Sequence, residues 1–268
     1  MAIYNGYTSK AQVLRELRQA GFTFSSALGH EESNPKLIKG QKENVLSKPH
    51  NLSPASESGF NMCAQASEGC IAACLHTAGN PIYLDAKINA RLQRTKAFMT
   101  MRKAYVALMA FELEAFDRKA QKLGMQGAWR PNTTSDYPFH NVALTVNNKP
   151  VKSLIHAFPN LQAYDYTKIT KKALQHSSGL LPDNYHITFS KSESNWADCL
   201  KVLESGGNVA AVFDQLPETY AGFKVINGDL TDYRPSDESG VIVGLKAKGK
   251  AKHDESGFVI TTKHKESV

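Results

Sequence analysis

Hydrophobic positions recur at two different spacings along this chain, and the change between them falls near its middle. Close to the N-terminus, Val13, Leu14 and Leu17 form a short apolar stripe behind the capping-box pair Ser9 and Gln12, and Gly21 closes it. That pattern predicts one amphipathic helix suited to docking on a larger body. Residues 30–48 are polar and aperiodic, which reads as a connector or surface arm. Ser, Pro, Gly and Asn dominate residues 51–63, as expected of a shaped loop. From Asp85 to Leu123 the apolar residues Phe98, Met101, Tyr105, Leu108, Phe111 or Leu113, and Phe116 keep near-helical spacing. This is the strongest helical signal in the chain, with a break expected near Thr100 and a stop at Gly124.

After Gly127 the period shortens. Strands are expected at Ala128–Thr134, Leu161–Tyr166, Tyr185–Phe189, Val209–Phe213, Lys224–Ile226 and Val241–Leu245. Helical stretches near Val151–Phe158, Thr170–Gln175 and Trp196–Glu204 separate the first four. Strands alternating with helices predict an α/β protein with a mainly parallel sheet. Residues 246–268 are basic and polar around one apolar run, Phe258–Ile260. The expected organisation is an N-terminal helix and connector over 1–44 and an α/β domain over 45–268.

Composition narrows the class. With 268 residues, 41% hydrophobic and 21% charged, the chain has room for one large domain and does not resemble a disordered polymer. A formal charge of +7 admits an anionic partner without selecting one. Residues 1–7 lack a basic start followed by an apolar core, and no long apolar run is free of charges, so a cytoplasmic protein without a membrane partner is expected.

Four cysteines are too few for a disulfide scaffold in a chain this long. Three of them, Cys63, Cys70 and Cys74, fall in C-x6-C-x3-C spacing with His76 close behind. Three readings of this cluster stand side by side. The cysteines are structural; or they bind zinc with His76; or they hold an iron–sulfur cluster with one open iron, since thiolates suit soft metal centres. Cys199, beside Leu200 and Val202 in an expected helix, reads as a buried core thiol.

Polar residues crowd the expected strand ends: Arg130 to Asp136, Asp165 to Lys168, Ser190 to Glu193, Asn227 to Asp229 and Lys246 to Lys248. In parallel α/β folds the loops beyond the carboxyl ends of the strands form the binding face. Ser192, Asp214 and Asp237 read as turn or cap residues. His76, His140, His156 and His186 offer partners for a nucleophilic thiolate, but no local signature selects one. Neither a phosphate-binding P-loop nor a zinc-protease motif is present.

The cysteine spacing, Thr134-Ser-Asp136, Phe158-Pro-Asn-Leu-Gln-Ala-Tyr-Asp-Tyr-Thr-Lys168, Asn184-Tyr-His-Ile-Thr-Phe-Ser190 and Val243-Gly-Leu-Lys-Ala-Lys-Gly249 together resemble a bacteriophage protein family. That family looks similar to the radical S-adenosylmethionine (radical SAM) enzymes. The resemblance covers roughly residues 45–260.

It implies a partial or complete (β/α) barrel with an N-terminal helical extension. It also implies a [4Fe–4S] cluster on Cys63, Cys70 and Cys74, whose open iron would chelate SAM. Reductive cleavage of SAM would then give a carbon radical that takes hydrogen from the substrate. Arg130, Asp165 and Lys168 become the expected catalytic residues. Ser135, Asp136, Ser190, Asp229 and Lys246 become the expected SAM-binding residues. The cysteine spacing is wider than the C-x3-C-x2-C usual among such enzymes, and Ala73 stands where an aromatic residue usually precedes the last cysteine.

The expected substrate is a small molecule, a nucleotide or a nucleic acid, in a host cytoplasm for a phage-encoded chain. The alternative is a non-catalytic nucleic-acid-binding protein with a zinc-stabilised Cys/His loop. Lys246, Lys248, Lys250, Lys252 and His253 would be its basic tail.

Overall fold

The computed structural model describes residues 2–32, 35–74 and 84–262. In chain order its helices are α1 (Lys10–Gln19), α2 (Pro35–Gln41), α3 (Glu68–Ala72), α4 (Leu84–Thr100), α5 (Arg102–Leu123), α6 (Leu154–Ala157), α7 (Thr170–Ser177) and α8 (Trp196–Glu204). The strands are β1 (Val45–Pro49), β2 (Gln126–Arg130), β3 (Leu144–Val146), β4 (Lys149–Val151), β5 (Gln162–Thr167), β6 (Tyr185–Ser190), β7 (Asn208–Phe213), β8 (Thr219–Tyr220), β9 (Phe223–Asn227), β10 (Ile242–Lys246) and β11 (Val259–Ile260). The class is α/β with a large, mostly parallel sheet, as the alternation of strands and helices predicts; among the described residues no pairing closes a barrel.

The chain divides into two compact units. The first comprises Met1–Ala64, Pro81–Ala163 and Pro182–Tyr185, so residues 1–44 lie within it; the second comprises Gln65–Asn80, Tyr164–Leu181 and His186–Val268.

In the first unit β1, β2 and the start of β5 lie side by side and parallel. The helix over 84–123 is broken at Met101, whose φ of −127° and ψ of 45° leave the helical region. Residues Ala104 to Leu113 are buried without interruption, so α5 is covered on more than the one stripe its spacing predicts. Helix α1 starts at Ser9, whose side chain accepts the Gln12 N–H, and packs Val13 and Leu17 against α5. Glu112 of α5 fixes this end of the chain, accepting the Leu28 N–H at 2.8 Å and the Lys10 ammonium at 2.8 Å. Strands β3 and β4 form a hairpin through Asn147 and Asn148, both at positive φ, the conformation that asparagine tolerates best after glycine.

The expected connector over 30–48 is instead α2 followed by β1. A strand forms here because pairing with β2 buries Val45, Leu46 and Ser47, while Glu31 takes the Lys48 ammonium at 3.2 Å. The helix expected over Val151–Phe158 is a single turn, α6, because Lys149–Val151 pairs in the hairpin.

In the second unit the strand order is β5-β6-β7-β10-β9-β8; β6, β7, β10 and β9 run parallel and the short β8–β9 pair is antiparallel. Strand β11 joins the far end of β7, beyond the last residue of β6. Helices α7 and α8 pack together, tied by the Thr170 hydroxyl donating to Asp198 at 3.1 Å. Cys199 is fully buried on α8, the core thiol its sequence setting predicts.

Candidate functional site

In the first unit the residues expected at the site gather on the loop after β2. Pro131 ends the strand and Arg130 is its last residue, nearly buried, with its carbonyl accepting the His50 N–H at 2.9 Å. Asn132 then folds the loop back: its side-chain oxygen accepts from the Ser135 hydroxyl at 2.9 Å and from the Tyr137 N–H at 2.8 Å. Ser135 is therefore buried.

Asp136 donates its backbone N–H to the Met62 carbonyl at 2.8 Å, and the Thr134 hydroxyl donates to Leu52 at 2.6 Å. These two bonds hold the 51–63 loop against the end of β2. Cys63 consequently has its sulfur 4.0 Å from the Thr134 carbonyl, and its N–H is taken by Asn61 at 3.0 Å. Beneath this loop His50 is enclosed, with Nδ1 2.8 Å from the Pro131 carbonyl and Nε2 3.0 Å from the Tyr105 hydroxyl. Burial pushes its pKa down to about 3, so the ring is neutral.

In the second unit a different strand end carries the other two thiols. Ser67 caps α3, its hydroxyl accepting the Cys70 N–H at 3.3 Å. Glu193, three residues beyond β6, accepts the Ser67 hydroxyl at 2.7 Å and the Gly69 N–H at 3.0 Å. Burial alone would raise the Glu193 pKa; hydrogen bonds from backbone N–H groups and Ser67, with the positive charge of Lys168, outweigh it and hold the carboxyl below its usual range. A side chain at Gly69 would run into Ser256 and the Glu193 carboxylate, so only glycine lets α3 lie this close. Past Cys70 the helix ends at Ala73, which packs with Ala251 and Val259, and Cys74 follows, half-buried.

The remaining expected residues of this unit lie at or near its strand ends. Lys168 directly follows β5, its ammonium 5.5 Å from the Phe258 ring centre. Ser190 ends β6. Asp229 and Lys246 are brought together: the Asp229 carboxylate accepts the Lys246 N–H at 3.0 Å and binds the Lys248 ammonium at 2.7 Å. Asp165 lies within β5, fully buried, 3.8 Å from the ammonium of Lys172 on α7. Asp214 and Asp237 serve the fold as their turn reading predicts: Asp214 accepts from both the N–H and the hydroxyl of Thr262, and Asp237 pairs with buried Arg234 at 3.2 Å.

Sequence reasoning did not select Glu193, Lys172, Lys191 or Arg234. Lys191 is nearly buried, its ammonium donating to the carbonyls of Ser192 and Gly257; burial lowers its pKa, partly opposed by Cys199, Glu193 and Asp254. The one local hint to Glu193 is Gly69, a glycine inside a short helix beside a cysteine.

A shallow cleft of about 350 Å³ opens between Ala72–Ala73 and Lys250, His253, Asp254 and Ser256. Cys63, Cys70 and Cys74 form no disulfide and are each half-buried, and thiolates are ligands whose chemistry suits a soft metal. Among the described residues no three His, Cys, Asp or Glu side chains are gathered to hold a metal ion. His76, the fourth ligand of the zinc alternative, lies outside the described residues. No helix among the described residues is long and apolar enough to cross a membrane.

These features define an α/β protein in which cysteine-bearing segments and interlocked polar loops lie at the ends of parallel strands. The chain belongs to the Gene product 88 family, a phage-type family whose model matches residues 25–262. Comparison with curated proteins and with solved structures gives no match.

Proposed function

We propose that this chain is an iron–sulfur protein with Cys63, Cys70 and Cys74 as ligands, acting as a radical-SAM-like enzyme on a small-molecule or nucleotide substrate. The observation that carries this reading is the anchoring of the thiols. Within its own unit each cysteine segment is bound to the loop beyond the carboxyl end of a parallel strand: Cys63 beyond β2, Cys70 and Cys74 beyond β6. In α/β folds those loops form the binding face. When bound, the cluster would supply an electron for reductive cleavage of SAM. The architecture this reading calls for is a partial or complete (β/α) barrel.

The chain's own residues have assigned parts in it. Arg130 and Lys168 bring positive charge to the ends of β2 and β5, and Asp165 acts from within β5. Ser135, Asp136, Ser190, Asp229 and Lys246 provide the polar groups for SAM. Protein purified without oxygen and reconstituted with iron and sulfide should become coloured and hold stoichiometric iron, and Cys70→Ala should lose both. A colourless wild-type protein without iron ends the proposal. A cluster whose spectrum ignores added SAM removes the SAM part alone.

One observation favours a second reading, a zinc-stabilised nucleic-acid-binding protein. Lys250, Lys252 and His253 are exposed on the short helical turn Gly249–His253, with exposed Lys248 just before it, and Lys250 and His253 border the cleft. Zinc in the purified protein, with nucleic-acid affinity falling steeply as salt rises, would select it.

A further inference from the structure

The geometry assigns Glu193 the role of a positioning residue for Cys70 and Cys74. The assignment builds on the three-thiolate reading for its purpose, but its primary test does not depend on any metal. Three observations converge on this carboxylate within the second unit. Its two oxygens divide the work: Oε2 accepts the Ser67 hydroxyl at 2.7 Å and Oε1 accepts the Gly69 N–H at 3.0 Å. Gly69 is the residue before Cys70 and Ser67 stands three before it, and the Ser67 hydroxyl also accepts the Cys70 N–H, so the carboxylate, the cap and the thiol-bearing residue form one chain of hydrogen bonds. The absence of a side chain at Gly69 is what permits this contact, because a Cβ there would stand 2.9 Å from Glu193 Oε2 and closer still to the Ser256 hydroxyl.

Helix α3 spans only Glu68–Ala72 and has no intrinsic stability at that length. Its shape must therefore come from what holds its ends. At its start that is Glu193; at its finish it is the packing of Ala73 on Ala251 and Val259. Exposed Ile71 makes no comparable anchor, being about half accessible at 49%. The apolar contact at Ala73 is non-directional and tolerates sliding. The bidentate acceptor at the other end fixes both translation and rotation of the turn, and so sets the direction of the Cys70 side chain. Charge matters here: an ionised carboxylate accepts two donors at once, whereas an amide has one acceptor oxygen.

The test is residue-resolved alkylation of the metal-free chain under native conditions, read by mass spectrometry. Glu193→Gln should speed modification of Cys70 and Cys74 roughly tenfold or more, the change expected when a charge-assisted hydrogen bond closing a local opening equilibrium is lost. Cys63 and Cys199 should keep their wild-type rates. Gly69→Ala, which displaces α3 sterically and leaves the carboxylate intact, should reproduce the same selective pattern. Unchanged rates at Cys70 and Cys74 in both variants would overturn the assignment. So would equal acceleration at all four cysteines in both, since that marks general loosening. If Glu193→Gln fails to fold, Ser67→Ala removes the other end of the same bond and must show the selective pattern. In protein that binds iron, Glu193→Gln should also shorten the lifetime of the bound iron in air. A wild-type chain that takes up no iron would end the cluster proposal and leave the alkylation result to judge Glu193.

Discussion

Asp165 and Lys172 form an ion pair inside the second unit, carboxylate to ammonium 3.8 Å, with both side chains all but completely buried. Such a pair holds charges that each need the other, because either one alone in a low-dielectric interior is strongly unfavourable. Lys172→Met or Asp165→Leu should therefore each destabilise the chain by about 3–5 kcal/mol. The double variant should cost less than either single one, since two apolar side chains in place of a buried pair are often tolerated. Urea unfolding of the four proteins as a cycle checks this. Single variants within experimental error of wild type would mean that the pair is not structurally coupled.

Gly124 closes α5 with φ of 65°, its N–H reaching the Ala120 and Gln121 carbonyls while the Met125 N–H returns to Ala120. A side chain here must adopt the left-handed conformation. Gly124→Ala should lower stability by about 1 kcal/mol, and Gly124→Asn by less, because asparagine enters that region more readily. Thermal unfolding would reveal the order, and a stabilising alanine would contradict it.

The six main strands between residues 126 and 246 are legible in the sequence because each carries a short apolar run bounded by turn residues. Strand β1 is not, since Lys48 and Pro49 interrupt its run and its burial depends on pairing with β2 and on Glu31. Lys172 and Lys191 are unreadable for a related reason: lysine is ordinarily exposed, and only tertiary packing shows that these two are not. Asn184 stands in a recognisable segment, yet its task is the fold, where its amide reaches the carbonyls of Ile155, Phe158 and Leu161. The cysteine spacing and the polar strand ends could be read locally. Glu193 could not be chosen from its polar neighbours, because its choice depends on which segment docks beside it.

His50 gives the stability a pH dependence of definite sign. Its folded pKa, pushed down to about 3 by burial, lies below the ordinary value of 6.5, so between those values the unfolded chain binds the extra proton. Stability from this group is complete above the ordinary value and falls as the solution is acidified towards the folded one. Between pH 7 and pH 5 the loss should be about 2 kcal/mol. His186, lowered to about 3 first by burial and then by His176 and Arg234, acts in the same direction in the other unit. Proton–nitrogen NMR should find His50 neutral, protonated on Nδ1, throughout that range. Titration of His50 near its ordinary pKa in the folded chain would refute the assignment.

Cys199 contrasts with the three other thiols. It is fully buried, and burial pushes its pKa up to about 12, with the nearby Lys191 charge opposing the shift only in part. The thiolate is the reactive form, so both access and ionisation protect this sulfur. Cys63, Cys70 and Cys74 are each partly accessible. In the metal-free chain at mildly alkaline pH, alkylation should reach those three first and leave Cys199 intact until the chain unfolds. Denaturant should then expose Cys199 in step with the loss of circular dichroism, because its protection is global rather than local. If Cys199 reacts in native buffer as fast as Cys70, the α8 core must open far more often than its packing allows. Protection of Cys63, Cys70 and Cys74 after iron loading, with Cys199 unchanged, would tie the three accessible thiols to one ligand set.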